Sequence, residues 1–265
     1  MSTTVSADGT KIAYTRAGSG PALVLVDGAM CYRGSSPNDD LAKELAAHFT
    51  VYTYDRRGRG ESTDTTPYAV EREVEDLEAL VGEAGGTALL FGISSGAALA
   101  LEAVDRGLPA TKLALYEPPF ILDDTRKPVP ADYATRLDEA VAAGKRGKAV
   151  KIFMREGVGL SGGVVAMMRI MPFWSKLKRV AHTLPYDTAV VGDHQSGAAL
   201  PSPAWPQVKI PTVTIDGGKS PEWMRNGVAA LAKALPSADH RTLAGQTHIV
   251  KAAALAPVLT DFFRS

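Results

Sequence analysis

The 265-residue chain carries 29 basic and 29 acidic side chains, so its formal net charge is zero, and no basic run is long enough to follow a phosphate backbone; nucleic acid is not an expected partner. A single cysteine, Cys31, excludes an intrachain disulfide and a thiolate-rich zinc site, and the five histidines are scattered without metalloprotease-like spacing. With no basic-then-apolar leader over Met1 to Asp8 and no apolar run of membrane-spanning length, the expectation is a cytoplasmic protein without membrane contact, built as one α/β domain with an insertion.

In chain order, Thr3 to Ser6 and Lys11 to Arg16 alternate like strands, and Asp8-Gly9 between them predicts a hairpin at an antiparallel sheet edge. Ala22 to Val26 is a continuous apolar run, the pattern of a parallel strand covered on both faces, and it ends in Asp27-Gly28-Ala29-Met30. A helix is expected over Asn38 to His48, capped by Asn38 or Asp39, with Leu41, Leu45 and Ala46 inward. The strand Thr50 to Tyr54 leads into Asp55-Arg56-Arg57-Gly58-Arg59-Gly60-Glu61-Ser62. Three arginines in one loop could hold a phosphate, or could tie backbone and carboxylates together in a turn. Val70, Val74, Leu77 and Val81 form the inward stripe of an amphipathic helix over Ala69 to Glu83, ended by Gly85-Gly86.

The next stretch organises the rest. An apolar strand ending in Leu89-Leu90-Phe91 breaks at Gly92-Ile93-Ser94-Ser95-Gly96 and continues as an Ala/Leu-rich helix. So abrupt a strand-to-helix turn brings backbone segments together at Gly92 and Gly96, pushes the Ser94 hydroxyl out towards a ligand, and predicts a strained φ at Ser94. The helix begins directly under the serine, so its free N–H groups, Ser95 first, favour negative charge there.

Lys112 to Phe120 reads as a strand closed by Pro118-Pro119. From about Ile121 to Trp205 the pattern is helical: Tyr133 to Ala143, Ala149 to Glu156, Val164 to Met171 and Phe173 to Leu184, with no buried strand. Met167, Met168, Met171, Phe173 and Trp174 cluster there, as core or as a face turned onto a ligand. Ile210 to Ile215 resumes the sheet, Glu222 to Leu235 is a helix, His240 to Leu243 a last short strand, and Ala252 to Phe263 a closing helix after the loop Ala244-Gly245-Gln246-Thr247-His248. The βαβ alternation predicts a doubly wound, mostly parallel sheet.

The Gly-x-Ser-x-Gly turn between strand and helix, with the arginine-rich loop and the histidine ending in the same order, resembles the α/β-hydrolase superfamily along nearly the whole chain. The resemblance implies an eight-stranded core over residues 1–120 and 206–265, and a helical cap over 121–205 between the sixth and seventh strands. It implies Ser94 as nucleophile, His248 as its base, and an oxyanion hole made by the Ala29 and Ser95 N–H groups. Asp27 stands where most relatives have histidine; it either braces the loop or touches substrate, and with Met167, Met171 and Trp174 it is an expected substrate-binding residue. The usual seventh-strand acid position aligns with Ser220, which cannot stabilise an imidazolium. Glu117, at the end of the sixth strand, is the expected acid, with Asp216 as the alternative. The implied reaction is cleavage of a small ester or lactone through an acyl-enzyme, with no cofactor or metal and a possible homodimer. The competing readings are a non-hydrolytic lyase or cyclase on the same fold, which the altered Asp27 and Ser220 positions would suit, or a ligand-binding protein, against which the Ser94 and His248 pair stands.

Overall fold

The computed structural model describes residues 2–265. Eight strands form one sheet: β1 (Ser2–Val5), β2 (Lys11–Ala17), β3 (Ala22–Val26), β4 (Thr50–Tyr54), β5 (Ala88–Ile93), β6 (Ala110–Tyr116), β7 (Thr212–Gly217) and β8 (Ala238–Leu243), in the order β1-β2-β4-β3-β5-β6-β7-β8. The β1–β2 pair is antiparallel, as the Asp8-Gly9 turn between them requires, β2–β4 is antiparallel as well, and every other pair is parallel.

Strand side chains divide between two cores, because successive residues face opposite sides of a sheet. Val24, Val26 and Leu90 pack with α2 (Val70–Glu83), α3 (Ser95–Asp105), α9 (Glu222–Ala234) and α8 (Leu184–Val191). Leu23, Leu25, Leu89 and Phe91 pack on the other face against α1 (Asn38–Leu45) and α10 (Ala252–Arg264). The crossover order changes beside β3 and β5, so the strand ends in mid-sheet open a crevice where an α/β sheet binds ligands.

Between β6 and β7 the chain forms helices and, among the described residues, no strand: α4 (Tyr133–Ala142), α5 (Arg146–Ile152) with a π turn over Phe153–Gly157, α6 (Gly162–Met168), α7 (Phe173–Val180), a 3₁₀ turn over Ala181–Thr183, and α8. This insertion has its own core, in which Leu137, Val150 and Leu184 are fully buried and Met30 joins from the loop after β3. Truncating such a leucine to alanine typically costs about 2–5 kcal/mol.

Two local expectations are corrected. The helix after β3 ends at Leu45 rather than His48, and neither Asn38 nor Asp39 caps it. Asn38 lies inside its first turn, where the Ser36 hydroxyl accepts the Asn38 N–H at 2.9 Å. The second correction is the helix expected over Phe173 to Leu184: α7 ends at Val180, a 3₁₀ turn follows, and Leu184 opens α8, which the sequence did not predict. It is a separate helix started by Pro185, and its apolar residues are spread around it because it is covered from several sides, so it shows no amphipathic period.

The arginine-rich loop is a turn held by buried ion pairs. Arg56, Arg57 and Arg59 are at most 1% exposed. Arg56 forks onto Glu73, with both bonds at 2.7 Å, and Arg57 onto Asp76 at 2.7 and 2.8 Å. Arg57 also reaches Asp8, and Arg59 reaches Asp187 at 2.8 Å and the Gly28 carbonyl at 2.8 Å. Buried guanidiniums are tolerable only when paired in this way, and the pairing leaves them no free face for a phosphate.

Candidate active site

Ser94 sits at the junction of β5 and α3 with φ 57° and ψ −129°, a strained conformation for a residue with a side chain. It is held there by its N–H donating to the Tyr116 carbonyl at 2.9 Å and its carbonyl accepting the Ala97 N–H at 2.9 Å. The flanking glycines have the steric role expected of them. A Cβ on Gly92 would overlap the Gly96 carbonyl and come within 2.7 Å of the Ala97 Cα, and one on Gly96 would overlap the Val26 and Asp27 carbonyls. The loop after β3 passes so close that a Cβ on Gly28 would lie 3.0 Å from the Ser94 Cβ.

A cavity of about 100 Å³ opens over the serine, lined by Ala29, Ser94, Ser95 and His248 together with residues of the insertion. Ser95 is the first residue of α3, so its N–H has no preceding turn to receive it, and the Ala29 N–H has no main-chain acceptor among the described residues.

His248 lies in the loop after β8 with its Nδ1 2.8 Å from Glu117 Oε2. Glu117 is wholly buried just past β6, at φ 45°, and its other oxygen accepts the Gly217 N–H at 2.7 Å. A carboxylate can only accept, so this contact puts the neutral imidazole's proton on Nδ1 and leaves Nε2 as an acceptor. Ser94 and His248 line the same cavity without a direct hydrogen bond between them, a looseness common before substrate binds. Asp216 is elsewhere: it pairs with His240 Nε2 at 2.5 Å, since the β7–β8 register sets His240 opposite Thr214, two residues back on the same face.

Four expected substrate contacts lie outside the cavity. Asp27 is buried in its loop, where its carboxylate accepts from the Ser36 hydroxyl. Burial pushes its carboxyl up to about 7, against the pull of that hydrogen bond. Met167 is 60% exposed on the outer face of α6, which turns Val165 inward, and Met171 is 46% exposed in the turn that follows. Trp174 is buried in the insertion's own core. Sequence reading also missed two cavity residues, Asp187 and Arg126. Asp187 accepts from the Ser95 hydroxyl, Arg56 and Arg59, each at 2.8 Å. Burial alone would raise its carboxyl; the two guanidiniums, Arg59 and Arg56, hold it below the usual carboxylate range. It lies on α8, the helix whose pattern was illegible.

Comparison with known proteins places this geometry. The model of the alpha/beta hydrolase family matches residues 21–258. A solved alpha/beta hydrolase from Sphaerobacter thermophilus DSM 20745 is similar at 52% identity and a TM-score of 0.89, covering 99% of this chain and 100% of that one. An enol-lactonase from Burkholderia xenovorans LB400 shares the fold at 22% identity, with a TM-score of 0.70 over 97% of this chain and 98% of its own. A curated relative, the uncharacterized hydrolase YraK of Bacillus subtilis (strain 168), is 32% identical over 126 residues, 45% of each chain, so the match spans about half the length of that relative. The chain belongs to the alpha/beta hydrolase family.

Proposed function

We propose that the protein is a serine hydrolase that cleaves a small ester or lactone through an acyl-enzyme on Ser94. The observation that carries this reading is the 2.8 Å contact between His248 Nδ1 and the buried Glu117 carboxylate, in a cavity shared with the strained Ser94. Ser94 Oγ attacks the carbonyl carbon as His248 Nε2 takes its proton, and Glu117 stabilises the imidazolium that results. The carbonyl oxygen, now an anion, accepts hydrogen bonds from the Ala29 and Ser95 N–H groups at the positive end of α3. Collapse of this intermediate breaks the bond to the leaving oxygen, which takes the proton from His248. Water, deprotonated by the same imidazole, then attacks the acyl carbon and releases the acid and Ser94.

Asp27 does not oppose the oxyanion in this reading, because its carboxyl is engaged by the Ser36 hydroxyl within the loop. Residues 121–205 act as a cap, supplying Arg126, Tyr133, Phe153, Val158 and Val191 to the cavity wall. No step needs a metal or organic cofactor. The test is Ser94→Ala with 4-nitrophenyl acetate: kcat should fall by several orders of magnitude while the circular dichroism spectrum and Tm are kept, and undiminished turnover would remove Ser94 from the mechanism.

A further inference from the structure

We infer that Arg126 is a carboxylate-recognition residue of this cavity, so that the substrates are small esters or lactones bearing a second, anionic group. This inference rests on the proposed hydrolase reading and deepens it. Three side chains that can carry charge near neutral pH line the cavity: Asp187, His248 and Arg126. Asp187 is fully occupied by Ser95, Arg56 and Arg59, and His248 by Glu117. Arg126 alone has no carboxylate partner among the described residues.

Its surroundings hold it in place without neutralising it. The guanidinium stacks over the Trp223 ring, 4.4 Å from the centroid, and Nη2 donates to the main-chain carbonyls of Glu156 at 2.9 Å and Gly157 at 2.7 Å. Those carbonyls close the π turn after α5, so they bring partial negative charge at most. The acids that could have paired with it are engaged elsewhere. Glu156 gives its carboxylate to Arg136, and Asp123 accepts from Thr125 and from Asn226 Nδ2 at 2.7 Å. Nε and Nη1 of Arg126 make no hydrogen bond among the described residues, and the guanidinium is half-buried beside apolar groups such as Phe153, Val158 and Trp223.

Nη2, which either bidentate fork of a guanidinium would need, is taken by the two carbonyls, so the unused Nε–H and Nη1–H, on different edges of the group, each offer a single charge-assisted hydrogen bond to an anionic oxygen beside an apolar wall. A single guanidinium with two free donors matches one negative charge and the few acceptors of a carboxylate, whereas a doubly charged phosphate would leave most of its acceptors unmet in this largely apolar cavity. A neutral substrate of the same size would leave the cation desolvated and unpaired. Losing a charged hydrogen-bond partner in such a site is worth roughly ten- to a hundred-fold in binding.

The experiment compares monomethyl glutarate, which carries one carboxylate, with the neutral dimethyl glutarate at pH 7.5. Binding is measured by calorimetry on the Ser94→Ala protein, and turnover on the wild type by pH-stat. The monoester should bind at least ten-fold tighter than the diester. Arg126→Gln on the same background should bring the ratio within about three-fold, and Arg126→Lys, which keeps the charge, should retain part of the preference and controls for folding. Equal binding of the two esters to Ser94→Ala, or a preference that survives Arg126→Gln, overturns the assignment. A binding preference that depends on Arg126, with neither ester turned over by the wild type, would instead sustain Arg126 and overturn the hydrolase reading.

Discussion

Replacing Glu117 by Gln probes the link on which the proposed chemistry depends. The side chain is wholly buried, and its two oxygens accept from the Gly217 N–H at 2.7 Å and from His248 Nδ1 at 2.8 Å. Glutamine keeps the shape and can still accept from Gly217 through its oxygen, but it then offers an NH₂ group to Nδ1. The imidazole must accept at Nδ1 and carry its proton on Nε2, where it can no longer receive one from Ser94. The imidazolium also loses its carboxylate. In the triad of serine proteases the corresponding change lowers kcat by roughly 10⁴, and a fall of about 10³ to 10⁴ is expected here, which at about 1.36 kcal/mol per decade is about 4 to 5 kcal/mol of barrier. The partial exposure of His248 limits the effect on folding, because only one end of the bond is desolvated; the charge-assisted bond contributes at most about 1.5–3 kcal/mol. Steady-state kinetics on 4-nitrophenyl acetate for Glu117→Gln and Asp216→Asn, with thermal melts of both, separate the two acids. Loss of kcat in Glu117→Gln at nearly constant KM, with Asp216→Asn close to wild type, is expected. The reverse pattern would refute the assignment.

Three further outcomes follow from the same geometry. Gly96→Ala places a Cβ against the Val26 and Asp27 carbonyls, at the end of β3 and just past it, where the buried backbone has little room to retreat, so it should cost at least about 3 kcal/mol in chemical denaturation, and a loss under 1 kcal/mol would show that the turn is less tight than described. Asp187→Ala leaves buried Arg59 without a carboxylate and Arg56 with Glu73 alone, and should destabilise the protein by about 3–5 kcal/mol, whereas a near-neutral melt would mean that Arg59 is satisfied without it. Asp27 has its folded carboxyl raised from an ordinary 3.8 to about 7, so the native state binds the extra proton and stability falls as pH rises between those values. Asp27→Asn should therefore gain on the wild type from pH 4 to pH 8 by at most about 4 kcal/mol, and a pH-independent difference in Tm would contradict this.

Much of the frame was legible because it rests on local pattern. The apolar runs at Ala22 to Val26 and Ala88 to Ile93, the Asp8-Gly9 hairpin and the Gly92/Gly96 spacing each carry their own steric or hydrophobic reason, and each stands as an element or a close approach in the fold. The residues that line the cavity from the insertion were not legible. Helix α6 has methionines at helical spacing, but spacing alone does not say which face is covered, and Met167 is on the outer one. Asp187 is set beside Ser95 by the docking of α8 onto the core, a long-range contact with no local signature. Arg126 sits in a loop whose composition reads as an ordinary surface turn, and only the engagement of Glu156 and Asp123 elsewhere sets its charge apart.

The most direct test of the central claim is covalent labelling. Wild-type protein treated with a fluorophosphonate should gain one adduct by intact mass, and peptide mapping should locate it on Ser94, with Ser94→Ala unlabelled and Glu117→Gln labelled far more slowly. An adduct on any other residue, or a folded wild-type protein that ester substrate saturates and the probe never modifies, would contradict Ser94 as the nucleophile.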